Sequence, residues 1–174
     1  MSLALDELKA ILKTDTNRVF TDEANSLLYP FAHNGQIFNV LIDLQEEGEY
    51  VHFSIHFLLN IREVENRENV LIALLELNRR LKALKYCYDP SDGEVSVAIE
   101  IPLEDGTLTM QQVHRCMYTL TEIAMRERDN LVTLIKTGVY PGSSDPGFTD
   151  TISRLLGSEG SEQDDLTDER ESLR

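Results

Sequence analysis

Residues 27–61 read LLYPFAHNGQIFNVLIDLQEEGEYVHFSIHFLLNI, and the spacing of the apolar side chains within them decides the fold. Three apolar runs, 27–33, 36–45 and 49–59, are separated by turn residues, which is the pattern of three consecutive strands. Asn34-Gly35 suits a two-residue hairpin, because both residues tolerate the positive φ that a type I′ turn demands. Glu46-Glu47-Gly48 makes a looser second turn. Strand side chains alternate between faces, so the third run puts Val51, Phe53, Ile55 and Phe57 on one side and Tyr50, His52, Ser54 and His56 on the other. In the second run Phe38, Val40, Ile42 and Leu44 form one row. Ile37 and Leu41 join Asn39 and Asp43 in the opposite row, so that outer face is expected to be partly covered.

Outward from this meander the period changes to that of helices. Leu5, Leu8, Ile11 and Leu12 define a helix near residues 3–14. After Asn66, a plausible N-cap, Val70, Leu71, Leu74, Leu77, Leu81 and Leu84 continue at helical spacing over about five turns. Runs 85–89 and 94–101 flank Pro90-Ser91-Asp92-Gly93 and predict a second hairpin. Thr109 with Gln112 three residues later is a capping box, and it opens a helix carrying Val113, Met117, Leu120, Ala124, Leu131 and Ile135. That helix spans roughly 40 Å at 1.5 Å per residue. Gly138, Pro141 and Gly142 end it. The predicted order is α-β-β-β-α-β-β-α, an α+β fold with a five-stranded antiparallel sheet flanked by helices. Residues 1–140 are expected to form the one domain, and 141–174 an acidic, largely disordered tail rich in Ser, Gly, Asp and Glu. Within that tail Phe148, Ile152, Leu155 and Leu156 sit at helical spacing, and weak docking on the domain is expected of them.

The chain's 174 residues suffice for one core, and its formal net charge of −15 repels a phosphate backbone, so nucleic acid is not an expected partner. No stretch reaches the roughly 20 apolar residues needed to cross a bilayer. Met1–Thr14 lacks the basic start and apolar run of a leader, and a cytoplasmic protein without membrane contact is expected. Cys87 and Cys116 are too few for a disulfide framework and read as reduced, packed thiols.

No catalytic, cofactor-binding or metal site is predicted. His52 and His56 share a strand face, yet four extended residues put them about 13 Å apart, too far for one metal ion. His114 and Cys116, at i and i+2 of a helix, point to nearly opposite sides. Cys87 could meet His114 only through the fold. The carboxylate pairs Glu46/Glu47 and Glu104/Asp105 lie beside glycines in turns, where they stay solvated. No glycine-rich phosphate loop is present. Met110, Met117 and Met125 read as core filling, with a lining for an apolar small molecule as the alternative. Arg62, Arg67, Arg79, Arg80, Lys82 and Lys85 make the middle of the chain locally basic, either a solvated face or a docking stripe for an acidic segment such as the chain's own tail.

The predicted element order is also that of the type III secretion chaperone-like fold. More specifically, Leu74-Leu75-Glu76-Leu77-Asn78, the short strand Tyr86-Cys87-Tyr88, the Asp92-Gly93 turn, Val95–Pro102 and the long helix after Leu108-Thr109 resemble the YbjN family of bacterial regulators, over roughly residues 3–136. The resemblance implies a helix-flanked antiparallel sheet, homodimerisation, no known catalytic residues or cofactors, and a binding or regulatory role. The expected function is therefore a non-enzymatic, protein-binding module with a polypeptide partner. A small-ligand sensor and a thiol-dependent hydrolase or redox enzyme at Cys87 or Cys116 are the alternatives.

Overall fold

The computed structural model describes residues 8–10, 12, 20–21, 26–103, 106 and 108–141. Within them the helix expected at 3–14 is seen at Leu8–Ala10 and Leu12 (α1), with Leu8 and Leu12 in the core. Residues 142–174, hence the expected tail and its apolar island, lie outside the described residues, as does the Glu104/Asp105 pair.

Among the described residues the sheet has six strands: β1 (Phe20–Thr21), β2 (Leu27–His33), β3 (Gln36–Gln45), β4 (Tyr50–Asn60), β5 (Lys85–Tyr88) and β6 (Glu94–Pro102). All pair antiparallel in the order β1-β2-β3-β4-β6-β5. The five longer strands are those predicted; β1, a two-residue bridge against Leu27 and Leu28, is too short to leave a periodic trace. Helix α2 (Arg67–Arg80) carries the chain from β4 to the far edge, where β5 and β6 fold back so that β6 lies beside β4. Helices α3 (Met110–Tyr118) and α4 (Met125–Thr137) are joined by a π-helical stretch, Thr119–Ala124.

Asn34 and Gly35 both have positive φ, as their hairpin required. The capping box is complete: Thr109 Oγ1 accepts from Gln112 N and the Gln112 side chain accepts from Thr109 N. Gly138 at φ +72° closes α4, its N–H donating to Leu134 O. Asn66 does stand at the N-cap position of α2, but its side chain caps nothing there; Nδ2 donates to Leu134 O across 68 residues, tying the start of α2 to the end of α4. Helix α2 also stops earlier than its leucine spacing suggested. Leu81 is extended and Ala83 takes φ +63°, so Leu84 reaches the core from the connection to β5.

The core forms between the inner rows of the sheet (Val40 and Ile42; Val51, Phe53 and Ile55; Val95, Val97 and Ile99) and Val70, Leu74, Leu77, Leu120, Leu131 and Leu134 of the helices. One row departs from the prediction. Phe57, expected beside Ile55 in the core, is 74% exposed, and Leu58 is buried in its place. A β-bulge between Ile55 and Leu59 shifts the β4–β6 register by two residues, so Phe57 drops out of the ladder and Leu59, opposite Val95, resumes the inner row. On the outer face of β3, Leu41 is half-buried but Ile37 is 77% exposed, so the expected cover does not extend over Ile37.

Candidate interaction surface

The bulge also builds the most distinctive surface feature. Phe57 holds φ +52°, a conformation that bulky residues rarely adopt, and its N–H donates to Glu94 Oε1 at 2.9 Å. The same oxygen lies 3.4 Å from His56 Nδ1. Immediately alongside, a groove of about 500 Å³ is lined by His56, Cys87, Tyr88, Asp89, Pro90, Glu94 and Ser96. Its floor is the outer face of β4, β6 and β5, and its end is the β5–β6 turn. That turn is rigid: Gly93 N–H donates to Asp89 O, and the Asp89 and Asp92 carboxylates accept from Ser91 and Glu94 N–H. Gly93, at φ +82°, is pressed on the Arg62 backbone so closely that a Cβ there would lie 2.4 Å from Arg62 Cβ.

Both edges of the sheet carry features that hinder an added strand. On the β5 side Asn78 acts as a one-residue strand, its Nδ2 donating to Tyr86 O at 3.0 Å and its Oδ1 accepting from Tyr86 N at 2.7 Å. At the other edge β1 pairs with Leu27 and Leu28, and Pro30, which has no N–H, removes a donor from the remainder.

Two polar clusters lock α4 to the sheet. The β3–β4 ladder runs from Leu41↔Ser54 to Gln45↔Tyr50; where the strands part, Arg128 enters. Its Nε donates to Leu58 O, its Nη2 to Gln36 Oε1, both at 3.0 Å, and its guanidinium lies 5.0 Å from the centre of the Phe38 ring. Next to it, Asp129 Oδ2 meets His33 Nε2 at 2.8 Å and accepts from Asn34 Nδ2, which holds the β2–β3 turn against the helix. Deeper, the fully buried carboxylate of Glu127 accepts from Tyr140 Oη at 2.6 Å and Asn130 Nδ2 at 2.9 Å, with Arg126 Nη2 3.3 Å away. Burial pushes the Tyr140 phenol up, and its bond to Glu127 pushes it further. These residues anchor the chain just past α4.

The residues singled out from sequence are dispersed. His52 pairs with Asp43 at 3.0 Å and His56 faces Glu94, so each imidazole has its own carboxylate. Among the described residues no three His, Cys, Asp or Glu side chains are grouped to hold a metal ion. Cys116 is buried, and burial pushes its thiol up to about 11. Cys87 is exposed and shares its groove with His56 and Glu94. That groove brings thiol, imidazole and carboxyl groups to one surface, but it is no buried site, since His56 is itself 51% exposed. Met125 is core, Met117 half-buried and Met110 exposed, so the three line no common pocket. The basic residues fall into two groups at opposite ends of α2, about 20 Å apart for a 14-residue helix. Two of them are neutralised locally: Arg79 forms a bidentate pair with Glu76, holding that carboxyl below the usual range, and Lys85 meets Glu100 at 3.0 Å. The Glu46/Glu47 pair is exposed in a 3₁₀ turn.

Sequence reading missed Asn78, Glu127, Arg128 and Phe57 as determinants. Glu127 was detectable, because it interrupts the apolar row Leu120, Ala124, Leu131, Leu134 at the position where a hydrophobic residue belongs. The other three act through long-range contacts that leave no local pattern.

The helix-backed antiparallel sheet has the α+β fold of the type III secretion chaperone-like class. Residues 5–130 match the YbjN family, described as "Putative bacterial sensory transduction regulator", and the chain belongs to that family. Among solved structures it is similar to the ExsC–ExsE complex, with TM-score 0.54, 18% identity, and 75% of this chain and 97% of that one covered. It is likewise similar to YbjN from E. coli, called a putative transcription regulator (TM-score 0.50, 14% identity, 88% and 94% covered). The HopA1–SchA chaperone–effector complex gives TM-score 0.50 and 16% identity over 73% and 98%. No curated protein matches by sequence.

Proposed function

We propose that the chain is a non-enzymatic module that binds a polypeptide partner, in a chaperone-like or regulatory role. The observation that carries this is the large apolar side chains left in solvent by a body whose core is otherwise well filled: Phe57, Ile37 at 77% and Leu75 at 70% exposed. Support also comes from the fold relatives whose names describe protein complexes, one of them a chaperone with its effector. The net charge of −15 sets the surface against direct contact with DNA, so regulation would run through protein contacts. We place the protein in the cytoplasm and read residues 141–174 as a solvated acidic tail; among the described residues no helix is long and apolar enough to cross a membrane. Affinity capture from the native cell tests the function. One protein should be enriched over a charge-matched bait, and repeated failure to enrich any would refute it. Homodimerisation belongs to the same proposal, since a second copy would cover Ile37 or Leu75. Light scattering should give about twice 19.8 kDa, and a monomer mass at micromolar concentration refutes it.

A further inference from the structure

We infer that the Phe57 bulge and the groove beside it form the recognition point for a cationic polypeptide segment bearing an apolar side chain. This rests on the polypeptide-binding reading and adds to it a place and a chemistry. A bulge that only ended a ladder would need no aromatic residue. Here a phenylalanine is held at φ +52° with its ring in solvent, and its N–H is fixed by Glu94. Bulges re-aim side chains beside binding sites, and exposed aromatic side chains are common anchors of protein interfaces.

The sign of the partner follows from the lining. Asp89 and Glu94 are the acidic residues of the groove, and among the described residues no lysine or arginine lines it. Arg62, whose backbone packs under Gly93, has its guanidinium within 3.9 Å of Glu63. Lys85, one row away on β5, is engaged by Glu100. Cys87, Tyr88 and Pro90 supply apolar walls. A segment whose apolar side chain packs on Phe57 would therefore place a lysine or arginine over Asp89 and Glu94. Because Asn78 occupies the Tyr86 edge of β5 beside the groove, the contact is made by side chains on the outer face rather than by strand addition.

The experiment uses the full chain and a fluorescein-labelled 12-residue probe of alternating leucine and lysine, with a leucine–glutamate counterpart. Anisotropy should show salt-sensitive binding of the first and none of the second. Phe57→Gly and Phe57→Asn both accept a left-handed backbone, so each should melt at or above the native temperature while weakening the probe at least tenfold. Asp89→Asn/Glu94→Gln should weaken it at least threefold with a shallower salt dependence. Leu75→Ala on α2 and Glu65→Gln/Glu68→Gln, the same charge change elsewhere, should stay within twofold. Unaltered binding by the Phe57 variants, equal loss with Leu75→Ala, or no binding of the leucine–lysine probe by the native chain would overturn the inference. If a captured cellular partner is retained by Phe57→Gly, this site is eliminated while the polypeptide-binding function stands.

Discussion

Replacing Asn78 by alanine should be among the most damaging single changes at a half-buried polar position. The carboxamide gives Tyr86 one donor and one acceptor, at 3.0 and 2.7 Å, on the edge of β5. Tyr86 itself is 4% exposed, so water has little access to the groups left behind. Each hydrogen bond contributes about 1 kcal/mol net, and each buried group left unsatisfied costs roughly 1–3 kcal/mol. The loss should therefore be about 2–4 kcal/mol, or roughly 6–16 °C in Tm for a domain of this size. Asn78→Asp should fall between, because a carboxylate still accepts from Tyr86 N–H but opposes Tyr86 O. Urea unfolding gives the energy, and amide exchange gives the site: the Tyr86 amide, protected in the native chain, should exchange by local opening in Asn78→Ala. A loss under about 0.5 kcal/mol with Tyr86 still protected would show that the edge is closed by something other than this side chain.

Gly93→Ala should destabilise by at least about 2 kcal/mol in urea unfolding. It adds a left-handed conformation costing roughly 1–2 kcal/mol to a Cβ placed 2.4 Å from Arg62 Cβ, where backbone must move. Arg79→Ala should raise the Glu76 titration toward the ordinary glutamate range. A carboxyl held low in the folded state stabilises above its unfolded pKa and loses that contribution as pH falls through the folded value, so acid unfolding of the variant should begin at higher pH; an NMR titration with Glu76 unmoved would contradict the pairing. At pH 8 a maleimide should label exposed Cys87 in the native protein and buried Cys116, with its thiol near 11, only on unfolding; labelling of Cys116 at the faster rate would refute its burial.

Much of the fold was legible because its elements announce themselves locally. Asn34-Gly35, Thr109 with Gln112, and Gly138 each impose a backbone geometry through their own chemistry, and each does so here. The strand limits of β2 and β3 follow from turn residues alone. What period could not show was the place where alternation breaks: Phe57 continues the row of Val51, Phe53 and Ile55 in sequence, and the bulge becomes visible only through the β4–β6 register. Asn66 reads as a cap by position, yet spends its side chain on α4. The π-helical stretch is hidden for a related reason. Thr119 and Thr121 donate their hydroxyls to the carbonyls of Arg115 and Met117, a local alternative to the helix ladder that the apolar spacing around them conceals. The candidate surface was the least legible, since its residues come from β4, β5 and β6 and none carries a motif.

The distribution of these devices explains why recognition should fall where it does. Asn78 closes one edge and Pro30 blunts the other, so the fold spends polar chemistry on refusing backbone partners. Arg128 and Asp129 bind the long helix to the sheet, Glu127 pins the chain that follows it, and Asn66 ties the start of α2 to the end of α4. A body fixed in this way binds best through side chains already presented rather than by opening, because little ordering cost remains to be met on association. Phe57 fits that requirement: its backbone is held by Glu94, its ring is solvent-exposed, and the groove next to it is walled by a turn that Gly93 locks onto Arg62. The rigidity of the scaffold and the strain at one exposed aromatic residue thus have a common consequence, a surface prepared for a partner before the partner arrives.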